Sequence, residues 1–268
     1  ERMNARNFST VQVTQQYIPY RLSKQKQEMT ELYLSGVEEI NQDMRPVSYY
    51  YDMLLWSTVA SPALRELLEW LATIDPLHIY ILAVSFAALA LLGRRGVAVG
   101  FAMSSVGMAG MVLQLILLLG FQALYGYVYY ALGLIISSFM IGLWAGSHLS
   151  SKSGGGVVHA LGICVAISLY SFLLPHMMRV PQELAWVFMI LMLIVGIMVG
   201  AFFPLAGRIY PGEGAGRIGG IVYSADLIGA WIGAIMSAVF VALFGIPQVC
   251  MLVGIINAVA ALVLLSAR

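Results

Sequence analysis

The sequence predicts an all-α integral membrane protein, a bundle of about seven transmembrane helices behind a short α+β N-terminal remnant. Three observations carry this expectation. Hydrophobic residues make up 60% of the 268 and charged residues only 10%, with a mean hydropathy of +0.87, a balance unlike that of a domain dissolved in water. Charge is also unevenly placed: of 13 acidic residues ten precede Leu77, leaving Glu183, Glu213 and Asp226 for the rest. Beyond Pro76 the apolar runs reach the roughly 20 helical residues that cross a hydrocarbon core of about 30 Å.

Residues 1–76 form the polar part. Phe8 to Tyr20 (FSTVQVTQQYIPY) mixes β-branched and aromatic residues with partial alternation and predicts a strand or hairpin arm ending at Pro19. Ser23 can cap a helix running to Ile40, with Met29, Leu32, Tyr33 and Val37 on one face. A turn over Asn41 to Pro46 leads to Tyr49, Tyr50, Tyr51 and Trp56, residues suited to a membrane interface. Ser61 to Leu71 reads as an amphipathic helix near that surface, and Asp75-Pro76 closes the segment. The chain opens on Glu1 without a signal-peptide pattern, which reads as a processed or partial chain.

Residues 77–268 hold the predicted bundle, with spans at Leu77 to Leu92, Val97 to Tyr125, Tyr127 to Leu149, Val157 to Pro175, Leu184 to Ala206, Gly219 to Phe244 and Val249 to Ser266. Turn and breaker residues separate them: Arg94-Arg95-Gly96, Gly126, Ser150 to Gly156, His176 to Glu183, Gly207 to Gly216 and Gly245 to Gln248. Small residues recur one helical turn apart at Gly142 and Gly146, at Gly196 and Gly200, and at Gly229 and Gly233 followed by Ser237. Such stripes let helix backbones approach closely where lipid removes the hydrophobic drive to associate.

Asp226 is the sharpest polar feature, because a charge inside a bilayer is costly unless paired or hydrated. Its helical face continues through Gly229, Ala230, Gly233 and Ser237, which points it into the bundle. Two uses compete: a proton- or cation-coupling acid in a transporter, or a packing residue hydrogen-bonded to Tyr223, Gln114 or Gln122. With Asp226, Gln114 and Gln122 form the set of intramembrane polar candidates. Cys164 and Cys250 sit singly in apolar runs and read as small buried hydrophobes. His78, His148, His159 and His176 fall near span ends as interfacial residues, with His148 and His159 on one side as a conceivable haem pair. Gly154 to Gly156 lacks the strand and Lys-Ser/Thr of a phosphate loop and reads as an inter-helix connection. No catalytic set, metal cluster or cofactor motif appears in this sequence, and no basic stripe suits nucleic acid.

Three stretches resemble the membrane-embedded spermidine synthase-like proteins, in which a Rossmann-like aminopropyltransferase domain is fused to transmembrane helices. They are FSTVQVTQQYIPYRL from Phe8 with INQDMRPVSYYYDMLLW from Ile40, GYVYYALGLIISSFMIGLWAGSHLSS from Gly126, and Phe203 to Pro247, where FPLAGRIY precedes GGIVYSADLIGAWIGA. The resemblance implies that residues 1–76 include the tail of a synthase domain. It also implies that the nucleoside-binding turn and catalytic aspartate, with any S-adenosylmethionine-type nucleoside, belong upstream of Glu1, and it gives Asp226 no catalytic role.

The expected function is therefore that of a membrane module anchoring or scaffolding a Rossmann-like transferase domain at the bilayer. The alternatives are a non-catalytic subunit of a larger membrane complex, and a transporter resembling major facilitator carriers, suggested by the G-x-x-x-G-S turn ending at Ser147 and by Asp226. Lipid is the expected partner, with other membrane subunits or a second copy beside it. Arg94, Arg95, Lys152, Arg208, Arg217 and Arg268 gather at one side of the spans, against Arg65 and Arg179 at the other. The chain is expected to be a multi-pass protein of the cell inner (plasma) membrane, and the positive-inside rule predicts its N-terminal segment outside the cytoplasm.

Overall fold

The computed structural model describes residues 23–34, 41–42, 44–78, 80–81, 85, 95–126, 129–179 and 185–266. The chain forms two compact units, Glu1–Ile40 and Asn41–Arg268. In the first, α1 (Lys24–Leu34) begins immediately after Ser23, whose carbonyl accepts from the backbone N–H of Gln27 at 3.0 Å. The strand expected over Phe8 to Tyr20 and the extension of α1 to Ile40 lie outside the described residues.

The second unit is an all-α membrane bundle. It opens with α2 (Val47–Ala60) and α3 (Pro62–Ala72), separated by Ser61 in extended conformation, and continues with α4 (Arg95–Tyr125), α5 (Tyr129–Lys152), α6 (Val157–Met177), α7 (Val187–Ile209), α8 (Ala215–Phe244) and α9 (Ile246–Ser266). The six helices α4 to α9 are each long and apolar enough to cross a membrane. The seventh expected span, Leu77 to Leu92, falls largely outside the described residues, although its start is visible. Asp75 caps that start, accepting from the Leu77 N–H at 2.8 Å, and Pro76 occupies the first helical position, where its missing N–H costs nothing. Among the described residues no strand occurs, only an antiparallel bridge between Gln42 and Arg45.

Helix α4 is apolar on every side and is the buried centre of the unit: Val106, Ala109, Val112, Leu113, Ile116 and Leu117 have no exposed surface. It packs against α7, α8 and α9. Helix α5 leans chiefly on α7 and turns Leu134, Ile141 and Trp144 outward. Alternation along the chain makes α4 and α8 parallel, with Gly229 beside Ser104 and Gly233 beside Met108. It likewise makes α5 and α7 parallel. Helices α4 and α7 are antiparallel, as Gly110 against Val199 and Phe121 against Phe188 show.

Several predicted boundaries shift outward, among them three around the last two turns. Helix α7 continues through Pro204 to Ile209, α8 begins at Ala215 instead of Gly219, and α9 begins at Ile246. Gly216, placed in a break, is helical and extends α8 ahead of the expected start at Gly219. The chain reverses instead at Gly212, Gly214 and Gly245, all with positive φ, a region that L side chains avoid.

Candidate functional site

The helix pairs meet through the predicted glycines. A side chain at Gly142 would meet the Gly196 Cα at 2.9 Å, and one at Gly146 the Ala201 backbone nitrogen at 2.9 Å. From the opposite helix, Gly196 faces Gly142, and a Cβ at Gly200 would meet the Leu143 Cα at 2.7 Å. The two stripes thus interlock, each occupying space that the other leaves empty. A Cβ at Gly229 would meet the Ser104 Cα at 2.8 Å, and one at Gly233 the Met108 carbonyl oxygen at 2.6 Å. Helix α4 supplies a further small residue, Gly107, which the sequence reading did not single out.

Asp226 stands on the α8 face that meets this part of α4. Its Oδ1 covers Gly107 so closely that no Cβ fits there, and it is half-buried. Ser104 fixes the crossing by donating its hydroxyl to the Ala225 carbonyl at 2.8 Å. The anticipated partners are not engaged: among the described residues no hydrogen bond joins Asp226 to Tyr223, Gln114 or Gln122. Tyr223 is exposed. At a rise of 1.5 Å per residue, Gln114 lies about 10 Å and Gln122 about 22 Å beyond Gly107 along α4, which removes both from reach. The sequence pattern placed the carboxyl on the correct face but not at the correct depth relative to the glutamines.

Polar links that sequence reasoning missed tie the other helices. Asn257, fully buried on α9, donates to the Val253 carbonyl at 3.0 Å and to the Ser105 carbonyl of α4 at 3.4 Å. Ser168 donates to the Gly254 carbonyl at 2.8 Å, joining α6 to α9, and Tyr170 donates to the Leu191 carbonyl at 2.9 Å, joining α6 to α7. Asn257 had a visible signal, since it alone interrupts the apolar run from Val249 to Leu265. The serine and tyrosine had none, because their acceptors are carbonyls on other helices.

His148 is exposed and stacks on Trp144 at 5.7 Å, and His159 is exposed beside Gly155, so the two do not enclose a haem cavity. Cys164 and Cys250 are free and buried. Among the described residues no group of His, Cys, Asp and Glu is arranged to hold a metal. A cavity of about 200 Å³, lined by Tyr210, Glu213, Arg217 and Ile221, opens where α7 turns into α8. The chain matches no family model, no curated protein and no solved structure. What this arrangement does chemically is hold helices in register: interlocked glycines set the distances, and isolated hydrogen bonds to carbonyls fix the rotations.

Proposed function

We propose that this chain is the membrane module of a spermidine synthase-like protein, a scaffold that holds a Rossmann-like transferase domain at the bilayer. The observation that supports this reading is the place of the resembling residues in the fold. Gly142 and Gly146 lock α5 to α7, and Ser104 and Met108 of α4 receive Gly229 and Gly233 of α8. Arg208, in the FPLAGRIY stretch, donates to the carbonyls of Ser150 and Ser151 at the end of α5. The described residues of the second and third stretches therefore serve packing, as a scaffold requires. Catalysis and any S-adenosylmethionine-type nucleoside belong to the transferase domain, on the same polypeptide or on a partner subunit.

Asp226 favours a second reading. A half-buried carboxyl with no hydrogen-bond partner among the described residues, in mid-span, is what a carrier would use to couple cation movement. One experiment separates the readings. The chain is tagged at its C terminus in its native membrane and extracted in mild detergent; intact mass and associated polypeptides are measured, followed by aminopropyl transfer by the preparation. A transferase domain in the same chain or in stoichiometric association supports the scaffold. Its absence from both sinks that reading, and Asp226-dependent cation flux in proteoliposomes of the chain alone replaces it with the carrier.

A further inference from the structure

Helices α2 and α3 leave an apolar surface that the bundle does not use. In α3 the polar side chains occupy one arc: Arg65, Glu66 and Glu69, with Arg65 donating to the Glu69 carboxylate at 2.8 Å. The opposite arc carries Leu64, Leu67, Leu68, Trp70 and Leu71. Only Leu68 is buried, while Leu67 is 49% and Trp70 60% exposed. The preceding α2 adds Leu55 at 66% and Trp56 at 65%.

Position decides what covers this surface. Just before α2, the Met44 carbonyl accepts from the Ile246 N–H at 2.8 Å, at the turn between α8 and α9. After α3, Tyr80 donates its hydroxyl to the Gln248 carbonyl at 3.0 Å in the first turn of α9. Both ends of the pair are thus tied to one rim of the bundle, level with the point where α8 ends and α9 begins. At 11 residues, α3 is far shorter than a span. Its exposed apolar arc therefore stands beside a rim where spanning helices end, and helix ends reach the headgroup level at which Trp and Tyr settle.

We propose that α2 and α3 form an in-plane anchor, with the Leu64, Leu67 and Trp70 face of α3 inserted into the lipid headgroup and acyl boundary. The partner is the bilayer surface itself. This rests on the membrane bundle and not on the proposed scaffold role. Charge sets the lipid preference: α3 carries one arginine against two glutamates. Apolar and aromatic insertion therefore drives docking, and anionic headgroups add nothing.

The test uses the full chain reconstituted in phosphatidylcholine vesicles, with a nitroxide on Leu67→Cys or Glu66→Cys; Cys164 and Cys250 are buried and stay unlabelled. Leu134→Cys, on the outward face of α5, gives the lipid reference. Accessibility to oxygen and to a water-soluble nickel chelate is read by power saturation. Position 67 is expected at a depth of about 5–10 Å, favouring oxygen, while position 66 favours nickel. Adding phosphatidylglycerol should leave both depths unchanged. Nickel access at both positions overturns the proposal, as does protection of position 67 from both reagents, which means that protein covers the face. A depth that increases with phosphatidylglycerol overturns the lipid preference and the driving force assigned to it.

Discussion

Arg208, near the end of α7, donates its guanidinium Nη1 to the carbonyl of Ser150 in the last turn of α5 at 3.2 Å, with Nη2 on the neighbouring Ser151 carbonyl. A cation there answers both the unpaired carbonyls and the negative end of the α5 dipole. Because Arg208 is exposed, the contribution is modest, and Arg208→Ala should cost about 1 kcal/mol. Thermal unfolding in detergent checks this, and high salt should narrow the difference between the variant and the parent. A variant that melts with the parent at low salt would show that the cap does not bear on stability.

The glycine interlock predicts a sharper position dependence. Gly146→Leu and Gly200→Leu push a side chain into the backbone of the facing helix, so both should separate α5 from α7 and lower the melting temperature steeply. Gly229→Leu should do the same for α8 on α4. Gly133→Ala and Gly162→Ala meet nothing within 4 Å and should melt at or above the parent temperature. Equal melting of both groups would mean that the helices do not meet along these stripes.

Tyr170 and Ser168 turn two faces of α6 toward different helices. Tyr170→Phe removes only the hydroxyl that reaches Leu191, and Ser168→Ala only the one that reaches Gly254. Each should cost about 0.6 kcal/mol, the usual worth of an interhelical hydrogen bond in a membrane. Because the acceptors lie on α7 and α9 respectively, the two costs should add. Unfolding of the double variant measures the coupling, and a marked departure from additivity would show that α6 does not bridge two independent contacts.

The sequence is legible where one residue type has one use. Long apolar runs set the spans, and the paired glycines marked surfaces of close approach. Which stripe meets which was not legible, since Gly142 and Gly196 are 54 positions apart and nothing local to either names the other. Gly107 was hidden because α4 is apolar all round and offers no periodic face. The start of α8 was misplaced because a glycine costs a helix interior only about 1 kcal/mol, so Gly216 and Gly219 mark no end by themselves and lie within the helix. For Asp226, periodicity gave the face. The partners depended on axial offsets between α4 and α8, which the chain does not print.

Asp226 itself now carries a different expectation from a packing acid held by hydrogen bonds. With its Oδ1 against Gly107 and no polar partner among the described residues, its shape is accommodated while its polarity is not rewarded. Asp226→Asn keeps the shape and removes the charge, so the variant should melt at or above the parent. Unfolding measurements decide it. A large loss of stability would show that the carboxylate makes an ion pair or binds a cation in the folded protein.

The ends of the bundle differ in charge, and this fixes an expected orientation. Alternation places Arg95, Lys152, Arg208 and Arg217 at one end, where α4 begins, α5 ends, α7 ends and α8 begins. Arg179, after the end of α6, belongs to the opposite end. By the positive-inside rule the first end is expected to face the cytoplasm. The Met44 to Tyr80 rim, tied to Ile246 and Gln248, is then on the far side. Impermeant thiol labelling of intact cells tests this with Ser153→Cys and Thr73→Cys, both at exposed positions, without background from the buried cysteines. Position 73 should label directly and position 153 only after permeabilisation. The reverse pattern would turn the chain over, placing the N-terminal side in the compartment where an aminopropyltransferase is expected to find its nucleoside donor.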